Sequence, residues 1–137
     1  MIGIAVIGLG NALEPHSKSL LDLKDRARVV WAAARSDART QAAACRFGLP
    51  VTADIARAIV DPAVDAVMVL APANAYLPIA EATFAAGKHV LCEKPLETTV
   101  ARGEQLIEAG RDPAIPGEET LATQLVIEDI LAACGVR

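Results

Sequence analysis

The sequence predicts an α/β doubly wound domain built on a parallel sheet, and three observations carry that prediction. The chain opens MIGIAVIGLG, a short apolar run from Ile2 to Ile7 that stops at Gly8-Leu9-Gly10. From there to Ala109, strand-like apolar runs alternate with helix-like segments, which is the pattern of a parallel sheet with right-handed crossovers. Hydrophobic residues make up 53% of the 137-residue chain but aromatics only 3%, so the core must be Ala, Val, Leu and Ile. Such small side chains let helices pack closely on a sheet buried on both faces.

The elements follow in order. Ile2 to Ile7 reads as the first strand, and Glu14 to Leu23 as a helix with Leu13, Leu20, Leu21 and Leu23 on one broad side. Arg28 to Ala33 is the second strand. Asp37 to Phe47 is an alanine-rich helix stopped by Gly48. Pro50-Val51-Thr52 allows a short third strand, and Asp54 to Val60 a short helix that Thr52 or Asp54 could cap. Asp65 to Leu70 is a continuous apolar run, hence a strand buried on both faces. Asn74 to Ala86 is a helix ending at Gly87, Lys88 to Cys92 the fifth strand, and Thr98 to Ala109 another helix. This alternation predicts strand order 3-2-1-4-5, the Rossmann-like arrangement, with the ligand crevice where strands 1 and 4 diverge.

The alternation then breaks. Residues 1–109 form the predicted nucleotide-binding unit, 110–117 (GRDPAIPG) a linker, and 118–135 an amphipathic helix bearing Leu121, Leu125, Ile127, Ile130 and Leu131. That helix is expected to pack on its own domain or on a second copy, so a homodimer is one expected assembly.

Composition narrows the function classes. Thirteen basic against 17 acidic side chains give a net charge of −4, with no basic block, which argues against nucleic acid or an anionic membrane as partner. No apolar run approaches the roughly 20 residues of a membrane span. The three cysteines are scattered, with no metal-ligand spacing and no disulfide framework, and a cytoplasmic location is expected.

The candidate site is read strand tip by strand tip. Gly8 permits a tight turn. Gly10 lets backbone N–H groups from residues 8 to 13, Asn11 included, approach a diphosphate at the start of the next helix. The third glycine of the full fingerprint would fall at Leu13. Glu14 stands where it could crowd that phosphate or simply cap the helix. After the second strand, Arg35 and the Ser36 hydroxyl can receive a 2′-phosphate, which favours NADP over NAD. Asp37 could cap the helix that follows. After the fourth strand come Ala71-Pro72-Ala73-Asn74, small residues that leave room for a flat ligand. Asn74 could either bond a ribose or cap a helix. After the fifth strand, Glu93-Lys94-Pro95 would aim the Lys94 ammonium into the crevice toward a substrate hydroxyl or carboxamide. The alternative is a solvated Glu–Lys pair on a loop. His16, just past the glycine turn, could face the crevice but is expected as a partly exposed helix residue, His89 as a packing residue, and Cys92 as a small buried side chain without a nucleophile's partner base.

These stretches carry a resemblance. Gly8-Leu9-Gly10, Asp61-Pro62, Ala71-Pro72-Ala73-Asn74 and above all the run from Ala86 to Leu96 (AGKHVLCEKPL) resemble the N-terminal half of the Gfo/Idh/MocA oxidoreductases, over about Ile2 to Ala109. The resemblance implies an NAD(P)-binding Rossmann domain. It puts the glycine turn on the pyrophosphate, Pro72 and Asn74 along the cofactor, and Glu93, Lys94 and Pro95 near the nicotinamide. It also implies that Lys94 contacts substrate and assists proton transfer. Tyr76 departs from a histidine common in the family. Nothing in the chain matches the D-x-x-x-H type motif of the family's second domain, whereas the segment from Pro113 onward resembles its last helix. Three functions fit: a cofactor-binding domain without complete catalytic machinery, an NADP-dependent sugar or polyol oxidoreductase completed by oligomerisation, and a structural remnant.

Overall fold

The computed structural model describes residues 1–110; the predicted linker and C-terminal helix lie outside the described residues. Five parallel strands form one sheet in the order β3-β2-β1-β4-β5. They are β1 (Ile2–Ile7), β2 (Ala27–Ala33), β3 (Val51–Thr52), β4 (Ala66–Val69) and β5 (His89–Cys92), linked by helices α1 (Leu13–Asp22), α2 (Asp37–Phe47), α3 (Ile55–Val60) and α4 (Tyr76–Ala85). Helix α5 (Val100–Ala109) follows β5. The strand order is the one the alternation predicts.

The sheet is buried at its centre and open at its edge. Ala5, Val6 and Ile7 of β1 and Val67 and Val69 of β4 are buried, as are Ala32 and Ala33 of β2. One apolar cluster joins Ile7, Val67, Val69, Tyr76, Leu77 and Leu106, and another joins Val6, Leu9, Leu13, Ala32, Ala43 and Leu70. Strand β5 pairs only with β4 among the described residues, and Leu91 is half-exposed there. Glu93-Lys94-Pro95 therefore follows an edge strand. His89 is likewise exposed and not a packing residue. It sits at the first residue of β5, where the strand has only begun to be covered.

Helix ends depart from the sequence reading in instructive ways. Helix α1 buries Leu13, but Leu21 is 61% and Leu23 43% exposed, so its apolar side is narrower than expected. Ser36, not Asp37, caps α2, its hydroxyl accepting the Arg39 N–H. Asp54 caps α3, accepting the Arg57 N–H, while the Thr52 hydroxyl accepts the Asp54 N–H. Asn74 caps nothing: it lies in a 3-10 turn, Ala73–Ala75, and α4 starts after it at Tyr76.

Two further contacts brace the end of the sheet away from the strand tips. Gly3 N–H donates to Asp65 Oδ2 at 2.7 Å, and Lys88 Nζ donates to the carbonyls of Asp61 and Val64. Asp61 also accepts the Trp31 indole N–H at 2.8 Å, which, with the Ala63 N–H, holds its carboxyl below the ordinary range.

Candidate functional site

Because every strand is parallel, residues that directly follow a strand gather along one edge of the sheet. Gly8 and Gly10 follow β1, Arg35 and Ser36 follow β2, Ala71 to Asn74 follow β4, and Glu93 to Pro95 follow β5. These four tips belong to neighbouring strands and span about 14 Å at ordinary strand spacing. Ladder bonds hold them level: Gly8 N–H donates to Ala33 at 2.9 Å, Leu70 N–H to Ile7 at 2.7 Å, and Glu93 N–H to Val69 at 3.3 Å.

The glycine turn is built by close approach. Gly8 has φ +104°, and a Cβ there would stand 2.4 Å from the Ala71 nitrogen and 2.5 Å from the Leu70 carbonyl carbon. Only glycine brings β1 so near the end of β4. Gly10 differs: a Cβ there would meet no atom within 4 Å. No neighbour requires this glycine; its bare backbone leaves room against the first turn of α1, where Ala12 caps the helix without a side-chain bond. Leu13, in place of a third glycine, is buried in the core, and its N–H closes the turn by donating to the Gly10 carbonyl at 3.1 Å.

Glu14 does not cap α1. It accepts Arg46 Nη2 of α2 at 2.7 Å and Lys18 Nζ at 3.1 Å. Hydrogen bonds from Lys18 and Arg46 keep its carboxyl below the usual range. Leu9, Gly10, Asn11, Leu13 and Glu14 together line a hollow of about 360 Å³ with Arg39, Ala43 and Arg46, so the Glu14 carboxylate stands at the rim of the glycine turn. Arg35 and Ser36 stand exposed at the tip of β2.

The β5 tip is held by a residue of α1. His16 is half-buried and faces the crevice, with Nε2 2.6 Å from Glu93 Oε1, across a separation of 77 residues. Glu93 Oε2 accepts the Lys94 backbone N–H at 3.1 Å. The His16 bond, then the Lys94 N–H, lower the Glu93 carboxyl, so it is ionised and the imidazole nitrogen facing it carries the proton. Glu93 thus pairs with His16, and not with Lys94 as the alternative reading had it. Lys94 and Pro95 are exposed, and the peptide between them is cis.

Two buried groups nearby complete the picture. Burial pushes the Cys92 thiol up to about 11 and the Tyr76 hydroxyl up to about 12. Cys92 is therefore a protonated thiol, not a nucleophile, as the sequence suggests. Glu97, which the sequence reading overlooked, is fully buried and bound by Arg102. Its only sequence signal is a Glu and an Arg five positions apart across a helix start.

The match to known proteins agrees with this geometry. Residues 2–113 match the family model of the oxidoreductase family with an NAD-binding Rossmann fold, Gfo/Idh/MocA. The chain belongs to that family. An inositol 2-dehydrogenase of Saccharopolyspora erythraea is 35% identical over 122 residues, covering 80% of this chain and 36% of the relative. Among solved structures, the NAD complex of GenD2 from gentamicin A biosynthesis superposes with TM-score 0.71 at 35% identity, covering 79% of this chain and 31% of that one. A Synechocystis biliverdin reductase, solved with biliverdin and NADP+, superposes with TM-score 0.70 at 30% identity, covering 79% and 34%. The chain spans about a third of the length of its curated relatives. What it shares with them is the NAD-binding domain. Among the described residues, no helix is long and apolar enough to cross a membrane, and no cluster of side chains suits a metal ion.

Proposed function

We propose that this domain binds NADP(H) in preference to NAD(H), as the cofactor half of an oxidoreductase for a sugar or polyol hydroxyl. The observation that carries the reading is the row of four strand tips along one sheet edge, each with groups suited to one part of a dinucleotide. The open face of Gly10 leaves space for a phosphate against backbone amides of residues 8–13, Asn11 among them. Arg35 and the Ser36 hydroxyl, still free to donate after accepting the Arg39 N–H, suit a 2′-phosphate. Asn74 is released from capping and exposed beside Ala71 and Pro72, so its amide can bond a ribose.

When bound, the nicotinamide supplies the acceptor for a hydride. This chain's residues orient and bind it: Glu93 and Pro95 shape the wall at its end of the crevice, and Lys94 offers its ammonium to a substrate hydroxyl. Lys94 is the one catalytic contact we assign. It stands open to water, and hydride chemistry needs water excluded. The reading therefore assigns the chain binding without turnover on its own.

Fluorescence titration with NADPH and NADH tests the assignment. NADPH should bind more tightly, and Arg35→Ala should erase the preference by weakening NADPH alone. Equal affinities in the unaltered chain would reject the NADP reading, and no binding of either would reject the function. A polyol-dependent change at the nicotinamide absorbance band would reject the absence of turnover.

A further inference from the structure

Glu97 is a charged residue at 0% exposure, and the cofactor reading does not use it. A buried carboxylate is costly unless its oxygens are fully bonded. Here they are. Arg102 meets it with two bonds, Nε to Oε2 at 3.0 Å and Nη2 to Oε1 at 2.9 Å. The Thr98 N–H and hydroxyl add bonds to Oε2 at 2.8 and 3.2 Å. Burial raises the Glu97 carboxyl, but Arg102 and Thr98 more than offset it, so the group stays ionised.

Arg102 does a second thing. Its Nη2 also donates to the Asn74 carbonyl at 3.2 Å. Asn74 follows β4 and Glu97 follows β5, while Arg102 sits in the first turn of α5, which Thr99 caps. One guanidinium therefore ties together the loop after β4 and the loop after β5. Those loops carry Ala71 to Asn74 and Glu93 to Pro95.

We infer that Arg102 is a positioning residue that sets the spacing of the 71–74 and 93–95 loops and so governs affinity for the nicotinamide half of the dinucleotide. The inference rests on the cofactor reading above. Arg102 touches neither cofactor nor substrate. A planar fork is required, because a lysine ammonium cannot hold both Glu97 oxygens and the Asn74 carbonyl in one plane. The adenosine side of the crevice, Gly8 to Asn11 with Arg35 and Ser36, stands on β1 and β2, beyond these bonds.

The test uses the full chain with Arg102→Lys and Glu97→Gln variants. Each is titrated with whichever of NADPH and NADH binds the unaltered chain more tightly, and with the matching adenosine fragment, adenosine 2′,5′-bisphosphate or AMP. Arg102→Lys should weaken the whole dinucleotide about tenfold while changing fragment affinity less than about twofold. Glu97→Gln, which keeps the side-chain volume, should shift the dinucleotide in the same direction by less, and carries the test if the lysine variant does not fold. Unchanged dinucleotide affinity in both folded variants would overturn the inference alone. Equal weakening of dinucleotide and fragment would overturn it too, reducing the pair to general stability. Failure of the unaltered chain to bind any dinucleotide would overturn the cofactor reading, and this inference with it.

Discussion

The two ends of the crevice are held by different forces. At the β1 end, Gly8 lies against the Leu70–Ala71 peptide, and the arrangement depends on the absence of a single carbon atom. At the β5 end, the tip is held by polar side chains that reach over from other elements: His16 to Glu93, and Arg102 to Glu97 and Asn74. The first end is rigid because atoms cannot overlap. The second is rigid only while its charges stay paired. The contrast teaches that one crevice can combine a floor set by steric contact with a wall set by electrostatics, and that the two should fail in different ways.

Substitutions separate them. Gly8→Ala should have the largest effect, since a Cβ must fit 2.4 Å from a backbone nitrogen at a positive φ. Destabilisation on the order of 3 kcal/mol is expected in urea unfolding. Gly10→Ala, its control, should change stability by less than about 0.5 kcal/mol while weakening dinucleotide binding. A stable Gly8→Ala would break the comparison at its steric end. Glu97→Ala comes next. It leaves Arg102 and Thr98 without their acceptor, and because Arg102 is partly exposed we expect about 2 kcal/mol rather than the full loss of a buried pair.

Acid should weaken the β5 end, alongside Glu14 and Asp61, whose carboxyls are also lowered. The folded Glu93 and Glu97 carboxyls both lie below their ordinary value of 4.5. The unfolded chain therefore binds protons more readily, and the stabilisation is complete above about pH 4.5 and is lost as pH falls through the depressed folded values. Glu97→Gln should flatten that acid limb, measured by thermal melts between neutral and acid pH. A small effect is expected for His16→Ala, about 0.5 kcal/mol for a partly exposed pair. Its sharper readout is the Glu93 carboxyl, which should titrate closer to 4.5 by NMR because its main depressing contact is gone. An unmoved Glu93 titration would mean that the Lys94 N–H alone sets it.

The same divide explains what could be read from the chain beforehand. Strand order and the position of all four tips were legible, because apolar runs alternating with helix patterns leave a parallel sheet little choice, and every tip directly follows its strand. Gly8 was legible as a turn glycine. The polar braces were not. His16 and Glu93 are 77 residues apart, and neither helix periodicity nor spacing signals that they meet. His16 is a partly exposed helix residue as expected; what the sequence does not show is its partner, Glu93. Of the alternatives the sequence leaves open, the cap falls away for Asn74 because a 3-10 turn intervenes before α4, and for Asp37 because Ser36 supplies the hydroxyl one residue earlier. His89 is exposed where packing is expected, because a short apolar run does not tell which of its residues an edge strand leaves open.

The contact between Gly8 and Ala71 has a practical consequence for redesign. It is a seam one peptide thick, and neither strand can be lifted from the other to enlarge the space above. Anyone seeking a different nucleotide preference or a roomier pocket must therefore vary the side walls, at residues 35–36 and 93–95, and leave the seam as it is. Libraries that randomise position 8 or the backbone course at 70–71 should yield mostly unfolded clones, whereas diversity at the walls should survive selection for solubility.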